Sequence, residues 1–316
     1  MGQFNYKLVL KWIIAFAIFV FLGKMVWNNW NQLKDVPFTL QLIPFILSTL
    51  IFAFSYFIQI WAWYLITLKL KIAVSFPETI KSWFYSQLGK YLPGKVWLLV
   101  SRFYFYESKG MSRKGISVAL YLEMVAVIVA AGIIFLAALV FFEEMGRFYS
   151  GGQLWWLVLA FILVAFILLH PRVLQKMLSR ILAQFKKEPI FVSISYPNIL
   201  WILFVCIVAW VIGGIGFYLF VDSVYAVSSK YILFLTGALA ISSTLGLIAI
   251  FAPSGLGVRE GALVYLLSFM MAAPVAVIIS ILTRLWMTLI EIGLIGVIYL
   301  FDKFQKRQKR KEYDTI

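Results

Sequence analysis

Lys90 and Lys95 flank one Gly/Pro interruption of a strongly apolar chain, Arg259 and Glu260 close a second, and Glu123, Arg284 and Glu291 lie inside apolar runs. An ionised side chain at the centre of a membrane helix costs about 2.5–3.5 kcal/mol on insertion scales, so each of these groups must face a countercharge or water. Groups of this kind, isolated from any nucleophile or base, point to electrostatic recognition and not to bond making. Lys90, Lys95, Arg259 and Arg284 are suited to receive a phosphate. Glu123, Glu260 and Glu291 are suited to pair with those cations at rest or to meet a cationic headgroup.

The two interruptions must position them. The first reads QLGKYLPGK over Gln87 to Lys95 and the second APSGLGVREG over Ala252 to Gly261. Every backbone N–H and C=O at membrane depth needs an internal partner, so Gly/Pro breaks survive there mainly where they line a protein-walled cavity. Paired breaks in corresponding halves of a chain point to a transport site. Gly89, Pro93 and Gly94 open the backbone and free N–H groups where the next helix starts, an anion site in outline. The alternative is a tight turn with both lysines snorkelling to the headgroups. Pro253, Gly255 and Gly257 open the second break, which Ser242, Ser243, Thr244 and Gly246 precede. Small residues there also permit close helix packing. Arg284, Thr288 and Glu291 fall on one helical stripe, i, i+4 and i+7. The bland alternative to a cavity wall is a structural Glu123–Arg284 pair.

Other chemistries fail on particular residues. Gly89 to Lys95 fits the start of a phosphate-binding loop, but Val96 stands where Ser or Thr must hold magnesium. Cys206 is the only cysteine and His170 the only histidine, so no intrachain disulfide and no metal site is expected. There is no Asp-x-Asp, no His-centred dyad and no Gly-x-Ser-x-Gly elbow. No enzymatic activity and no cofactor are expected.

The composition sets the class. The chain is 63% hydrophobic and 13% charged with mean hydropathy +0.96, against about 25% charged residues in a soluble domain. No stretch of ordinary polarity is long enough for a soluble catalytic domain. The net charge of +15 would favour nucleic acid in a soluble chain, but here the Lys and Arg residues gather in the loops of one face. By the positive-inside rule that face is cytoplasmic, and nucleic-acid binding is not expected.

The expected fold is an all-α polytopic membrane protein of one domain, 1–316, with about seven transmembrane helices near residues 8–30, 41–66, 117–142, 153–170, 198–221, 231–251 and 275–300. The run 8–30 reads as an uncleaved first span. Basic residues on both sides of the first broken segment, 78–101, make it re-entrant from the cytoplasm. The second, 252–272, dips from outside, with both termini cytoplasmic. The halves, about 1–142 and 153–300, then form an inverted repeat. Residues 172–187 repeat apolar residues at helical spacing with Arg172, Lys176 and Arg180 on another face, and 303–311 lie in a basic tail, 301–316. Both are expected to contact anionic lipid headgroups.

At the same residues the chain resembles a known family, the flippase-like membrane domain of lysylphosphatidylglycerol synthases. The resemblance is carried by Leu88 to Trp97, Glu123, Pro253 to Glu260 and Arg284, and runs over almost the whole chain. Where the family often carries Arg after the glutamate, this chain has Met124. The resemblance implies a helical bundle with two re-entrant hairpins that moves a charged lipid between leaflets. The soluble lysine-transferring domain of the full-length synthases has no room here. A lipid translocase of the cytoplasmic membrane, acting on a phospholipid or lipid-linked substrate, is the leading expectation. An accessory or catalytic component of lipid-linked sugar assembly and a membrane scaffold for a soluble partner are the alternatives.

Overall fold

The computed structural model describes residues 38–71, 74–91, 96–142, 151–184, 194–249 and 255–313, together with Lys24 and Trp27. The expected span 8–30 and the positions Pro93, Gly94, Lys95 and Pro253 lie outside the described residues.

The described chain is helical throughout: α1 (Leu42–Lys69), α2 (Phe76–Gln87), a 3-10 turn (Leu88–Tyr91), α3 (Val96–Ser108), α4 (Arg113–Val140), α5 (Gly151–Leu168), α6 (Pro171–Gln184), α7 (Tyr196–Val224), a second 3-10 turn (Ser229–Tyr231), α8 (Ile232–Ile248), α9 (Val258–Leu267) and α10 (Ala273–Tyr313). Five stretches are long and apolar enough to cross a bilayer: Leu42–Lys69, Arg113–Val140, Tyr196–Val224, Ser229–Ile248 and Ala273–Phe304. A sixth is reached if α5 and the start of α6, bent by 74°, count as one broken span. Among the described residues the count is therefore five or six, and of the seven spans expected the one at 8–30 lies outside them.

Local sequence explains the boundaries. The Glu78 carboxylate accepts hydrogen bonds from the Ser75 N–H at 3.3 Å and the Ser75 hydroxyl at 3.0 Å, fixing the start of α2. The Ser112 hydroxyl accepts from the Gly115 N–H at 3.1 Å to start α4. α10 does not stop at the membrane. At 41 residues and 1.5 Å per residue it runs about 60 Å, twice the hydrocarbon thickness of about 30 Å, and carries the basic tail as the same helix.

Small residues set the packing of the long helices, as lipid-embedded interfaces require. Gly213 and Gly216 of α7 let α1 approach, with Ser55 and the Phe52 backbone against them. Gly214 faces Thr236 of α8, and Gly237 of α8 faces Ala138 of α4. Trp286 of α10 closes the seam between α1 and α7. Its ring lies 4.8 Å from Phe52 and 4.4 Å from Phe220, and its Nε1–H donates to Thr49 Oγ1 at 3.0 Å.

Two hairpins interrupt this bundle. α2 and α3 run antiparallel, with Glu78 facing Lys109, Ser82 facing Tyr106 and Ser86 facing Arg102. At their tip a Cβ on Gly89 would sit 2.6 Å from the Leu98 nitrogen, so only glycine fits. The other hairpin folds α9 back on α8. Gly255, at φ +68°, lies against the Gly246 backbone, and Gly257, at φ +83°, precedes the first turn of α9. α2, α3 and α9 hold 12, 13 and 10 residues, about 15–20 Å each, too short to cross a bilayer singly.

The α7–α8 contact offers a direct check. A Cβ at position 214 would lie 2.1 Å from Thr236 Oγ1, so Gly214→Leu should force the two helices apart and lower stability by about 1–3 kcal/mol. Gly296→Ala, where nothing lies within 4 Å, should leave the thermal midpoint of the detergent-solubilised protein unchanged or slightly raised. Equal midpoints for the two variants would contradict this packing.

Candidate functional site

The first hairpin brings Lys90, on the 3-10 turn at its tip, to the Glu291 carboxylate of α10, where the two form an ion pair. Tyr56 of α1 donates its hydroxyl to the same carboxylate at 3.2 Å. The second hairpin brings Glu260, in the first turn of α9, into an ion pair with Arg284 of α10, two turns before Glu291. Glu260 also holds its own helix: its second carboxylate oxygen accepts the Gly257 N–H at 2.7 Å. The helix start and the ion pair thus depend on one side chain, buried to 1% exposure. Ser280 adds a hydrogen bond to the Glu260 carbonyl at 3.3 Å, one turn before Arg284.

Arg259 stands beside this pair. Its guanidinium contacts Met287 Sδ of α10 and its Cβ packs on Gly246 of α8. Among the described residues no carboxylate forms an ion pair with it. It lies within electrostatic reach of Glu260, Arg284 and Glu291, and Lys90 within reach of Arg259 and Arg284. Five of the residues singled out in the sequence therefore share one place: Lys90, Arg259, Glu260, Arg284 and Glu291. The carboxylates are shut in, while the Lys90 and Arg284 side chains keep 27% and 19% exposure. Ser243 and Thr244, on the turn of α8 before Gly246, have buried hydroxyls without a hydrogen-bond partner among the described residues.

Glu123 does not join them. Neither the shared cavity wall expected for it nor the alternative of a structural pair with Arg284 is what the structure places there: its ion-pair partner is Arg102 of α3, at 2.5 Å. Arg102 itself, which the sequence places among the basic flanks of the first hairpin, is buried to 1% exposure. Its guanidinium lies 4.7 Å from the Trp63 ring centre and 5.8 Å from that of Trp83, and its Nε–H donates to Ser86 Oγ at 3.3 Å. Trp63 in turn donates to the Tyr106 hydroxyl at 2.8 Å. Cation–π contacts, the hydrogen bond to Ser86 and the Glu123 carboxylate explain why a guanidinium is tolerated there. The sequence signal was available: Arg102 is the only charge between Trp97 and Tyr106, a run dense in aromatic residues.

The two centres are neighbours. Trp83, stacked beside Arg102, lies 5.7 Å from the ring of Tyr56, whose hydroxyl reaches Glu291. Tyr56 and Met287 have no distinguishing mark in the sequence, since an apolar run with a tyrosine or a methionine in it is ordinary. Outside the bundle, Lys109 and Ser75 hold the Glu78 carboxylate below the usual carboxylate range, so the clasp at the base of the first hairpin is ionised at neutral pH. Lys81 of α2 pairs with Asp302 of α10.

Both breaks, the intervening spans and the part of α10 that bears Arg284 and Glu291 fall within one match: a family model described as the lysylphosphatidylglycerol synthase TM region covers residues 8–296. The chain belongs to the lysylphosphatidylglycerol synthase transmembrane-region family. No curated protein matches it. In this family member both hairpins deliver charge to a single helix, and the bundle is that of a multi-pass membrane protein.

The buried Arg102–Glu123 pair makes a quantitative prediction. Arg102→Ala leaves an uncompensated carboxylate and should destabilise by about 3–5 kcal/mol, whereas Arg102→Met with Glu123→Leu should recover most of that loss, because an apolar pair of similar volume needs no countercharge. Denaturant titration in mixed micelles of both variants and of Glu123→Leu alone measures the coupling. Additive losses would mean that the two side chains act independently.

Proposed function

We propose that this chain is a lipid translocase of the cytoplasmic membrane, moving a charged phospholipid or lipid-linked headgroup between leaflets, and that it does so without covalent chemistry. One observation supports the reading above all: charged residues from both broken segments meet on α10. The barrier to flipping a lipid is the passage of its headgroup through hydrocarbon. A charge-lined crevice lowers that barrier while the acyl chains stay in lipid.

The ion pairs supply the moving parts. Lys90–Glu291 ties the first hairpin to α10, and Glu260–Arg284 ties the second. On this reading the first hairpin enters from the cytoplasm and the second from outside, as an inverted repeat places them, with both termini cytoplasmic. Separation of one pair opens the crevice to one face while the other stays closed, which is the alternating access expected of such repeats. A headgroup phosphate replaces the carboxylate as the partner of each cation in turn. Arg172, Lys176 and Arg180, exposed on α6 after its sharp bend from α5, and the basic end of α10 rest on anionic headgroups. The match to a lipid-related membrane family supports the same class of substrate.

Reconstitution tests this directly. In liposomes carrying fluorescent phospholipids of several headgroups, the protein should accelerate the loss of protection of inner-leaflet probe from an impermeant external quencher by at least about tenfold for one headgroup class. Arg284→Ala and Glu291→Gln should each cut that rate by about tenfold, equivalent to about 1.4 kcal/mol in the barrier. Rates equal to those of protein-free vesicles across the whole panel would refute the proposal.

A further inference from the structure

We infer that the flank of the bundle between α1, α7 and α10 holds an acyl chain of a bilayer phospholipid, in a cavity separate from the charge cluster. The inference is independent of translocation, since it needs only that a lipid tail stays bound.

The cavity measures about 860 Å³ and is lined almost entirely by apolar side chains. Its floor is a fixed aromatic surface. Trp286 of α10 stacks on Phe220 of α7 with 4.4 Å between ring centres, and the two are 5% and 2% exposed. Thr49 of α1 holds the indole by accepting its N–H at 3.0 Å. Along the rim, Leu50, Leu285 and Leu289 stand exposed on the outside of the bundle.

The chemistry of the lining rules out water. A buried water typically needs about three polar partners. The polar side chains of the lining are Thr39, Thr49 and the Trp286 indole. Thr49 and Trp286 are spent on each other, and the Thr49 hydroxyl also donates to the Phe45 carbonyl at 2.9 Å. What remains is a hydrocarbon surface around a volume typical of ligand pockets.

Shape decides between hydrocarbon occupants. On α10 the lining runs from Leu282 to Leu294, about 18 Å at 1.5 Å per residue. That is close to one leaflet's half of the roughly 30 Å hydrocarbon layer. A helix about 10 Å across would fill roughly 1,400 Å³ over that length, well beyond the cavity. A helix of a second copy is therefore too wide, and so is one formed by the expected span 8–30. An acyl chain is a file of single methylenes and fits.

One end of the cavity lies where such a chain must enter. Phe38, Leu40 and Val224 line it. There the Thr39 N–H donates to the Val224 carbonyl at 3.2 Å and the Gln41 N–H to the Ser223 carbonyl at 2.9 Å, tying the start of α1 to the end of α7. Two membrane spans have their ends at this point, which sets it at the headgroup level of one leaflet. The tail runs inward from it towards Trp286.

Gly293 offers the means of testing this. It lines the cavity, and a Cβ there meets nothing within 4 Å, so Gly293→Phe adds bulk without displacing a neighbour. Gly296 on the same helix is equally open and does not line the cavity. The probe is a phosphatidylcholine carrying a diazirine in one acyl chain, added in trace amount to phosphatidylcholine vesicles that hold the full-length protein. After irradiation, adducts on Phe220 and Trp286 should be at least about fivefold more frequent than those on Trp156 and Leu163, exposed residues of α5 that face bulk lipid. Gly293→Phe should bring the floor down to the α5 level and leave α5 unchanged, and Gly296→Phe should change neither. The wild-type ratio is a test in its own right, whatever the variants do. Floor adducts no more frequent than those on α5, or undiminished in a folded Gly293→Phe protein, would overturn the inference. So would cross-links from photo-leucine at position 289 to residues 8–30 or to a second copy, which assign the cavity to protein. A labelled floor in a protein that moves no lipid leaves this site standing and removes the translocase.

Discussion

An ion in hydrocarbon must be answered by another charge or by water, and that demand organises this molecule. Its answer is to bring the ions together on one helix. Glu291 and Arg284 of α10 each take a partner from a different broken segment, Lys90 from one and Glu260 from the other. Left alone, each of these charges would destabilise the element that carries it. Paired on α10, they fix the tips of two short hairpins whose apolar residues, Trp83, Phe84 and Tyr106 in one and Leu263 and Leu267 in the other, are buried in the core.

The breaks themselves follow from the same demand at the level of the backbone. Free N–H and C=O groups at a helix end need partners as much as a side-chain charge does. At the second break Glu260 meets both needs at once, accepting the Gly257 N–H with one oxygen and Arg284 with the other. The glycines make this geometry reachable. Positive φ at Gly255 and Gly257 turns the chain, and the missing Cβ at Gly255 lets it touch the Gly246 backbone. A conformational requirement, a capping requirement and an electrostatic one are solved within a few residues, which is why so much of the signal is compressed into a short motif.

How much of this is legible in the sequence depends on whether the relevant force is local. The spans are, because twenty apolar residues in a row have one reading in a bilayer. α1, α4, α7, α8 and the membrane part of α10 lie within a few residues of their expected limits. The breaks are legible for the same reason, since Gly and Pro act on their own neighbours. Partner choice is not local. Glu123 and Arg284 look like equivalents in the two halves, yet Arg102 reaches Glu123 first because α3 folds back beside α4, and Trp63 and Trp83 shelter its guanidinium. Likewise nothing near Tyr56 in the chain marks it as the hydroxyl that reaches Glu291. Such identities emerge only when helices far apart in sequence are set side by side.

α10 runs as one unbroken helix from Ala273 to Tyr313, carrying Arg284, Glu291 and Asp302 along a single rod. Its contacts with Glu260, Lys90 and Lys81 are spaced along that rod like teeth on a key. A stiff helix rotates as a body, so a twist applied at its protruding basic end arrives undiminished among the buried charges. Whatever grips the far end of the rod therefore also has a hand on the lock.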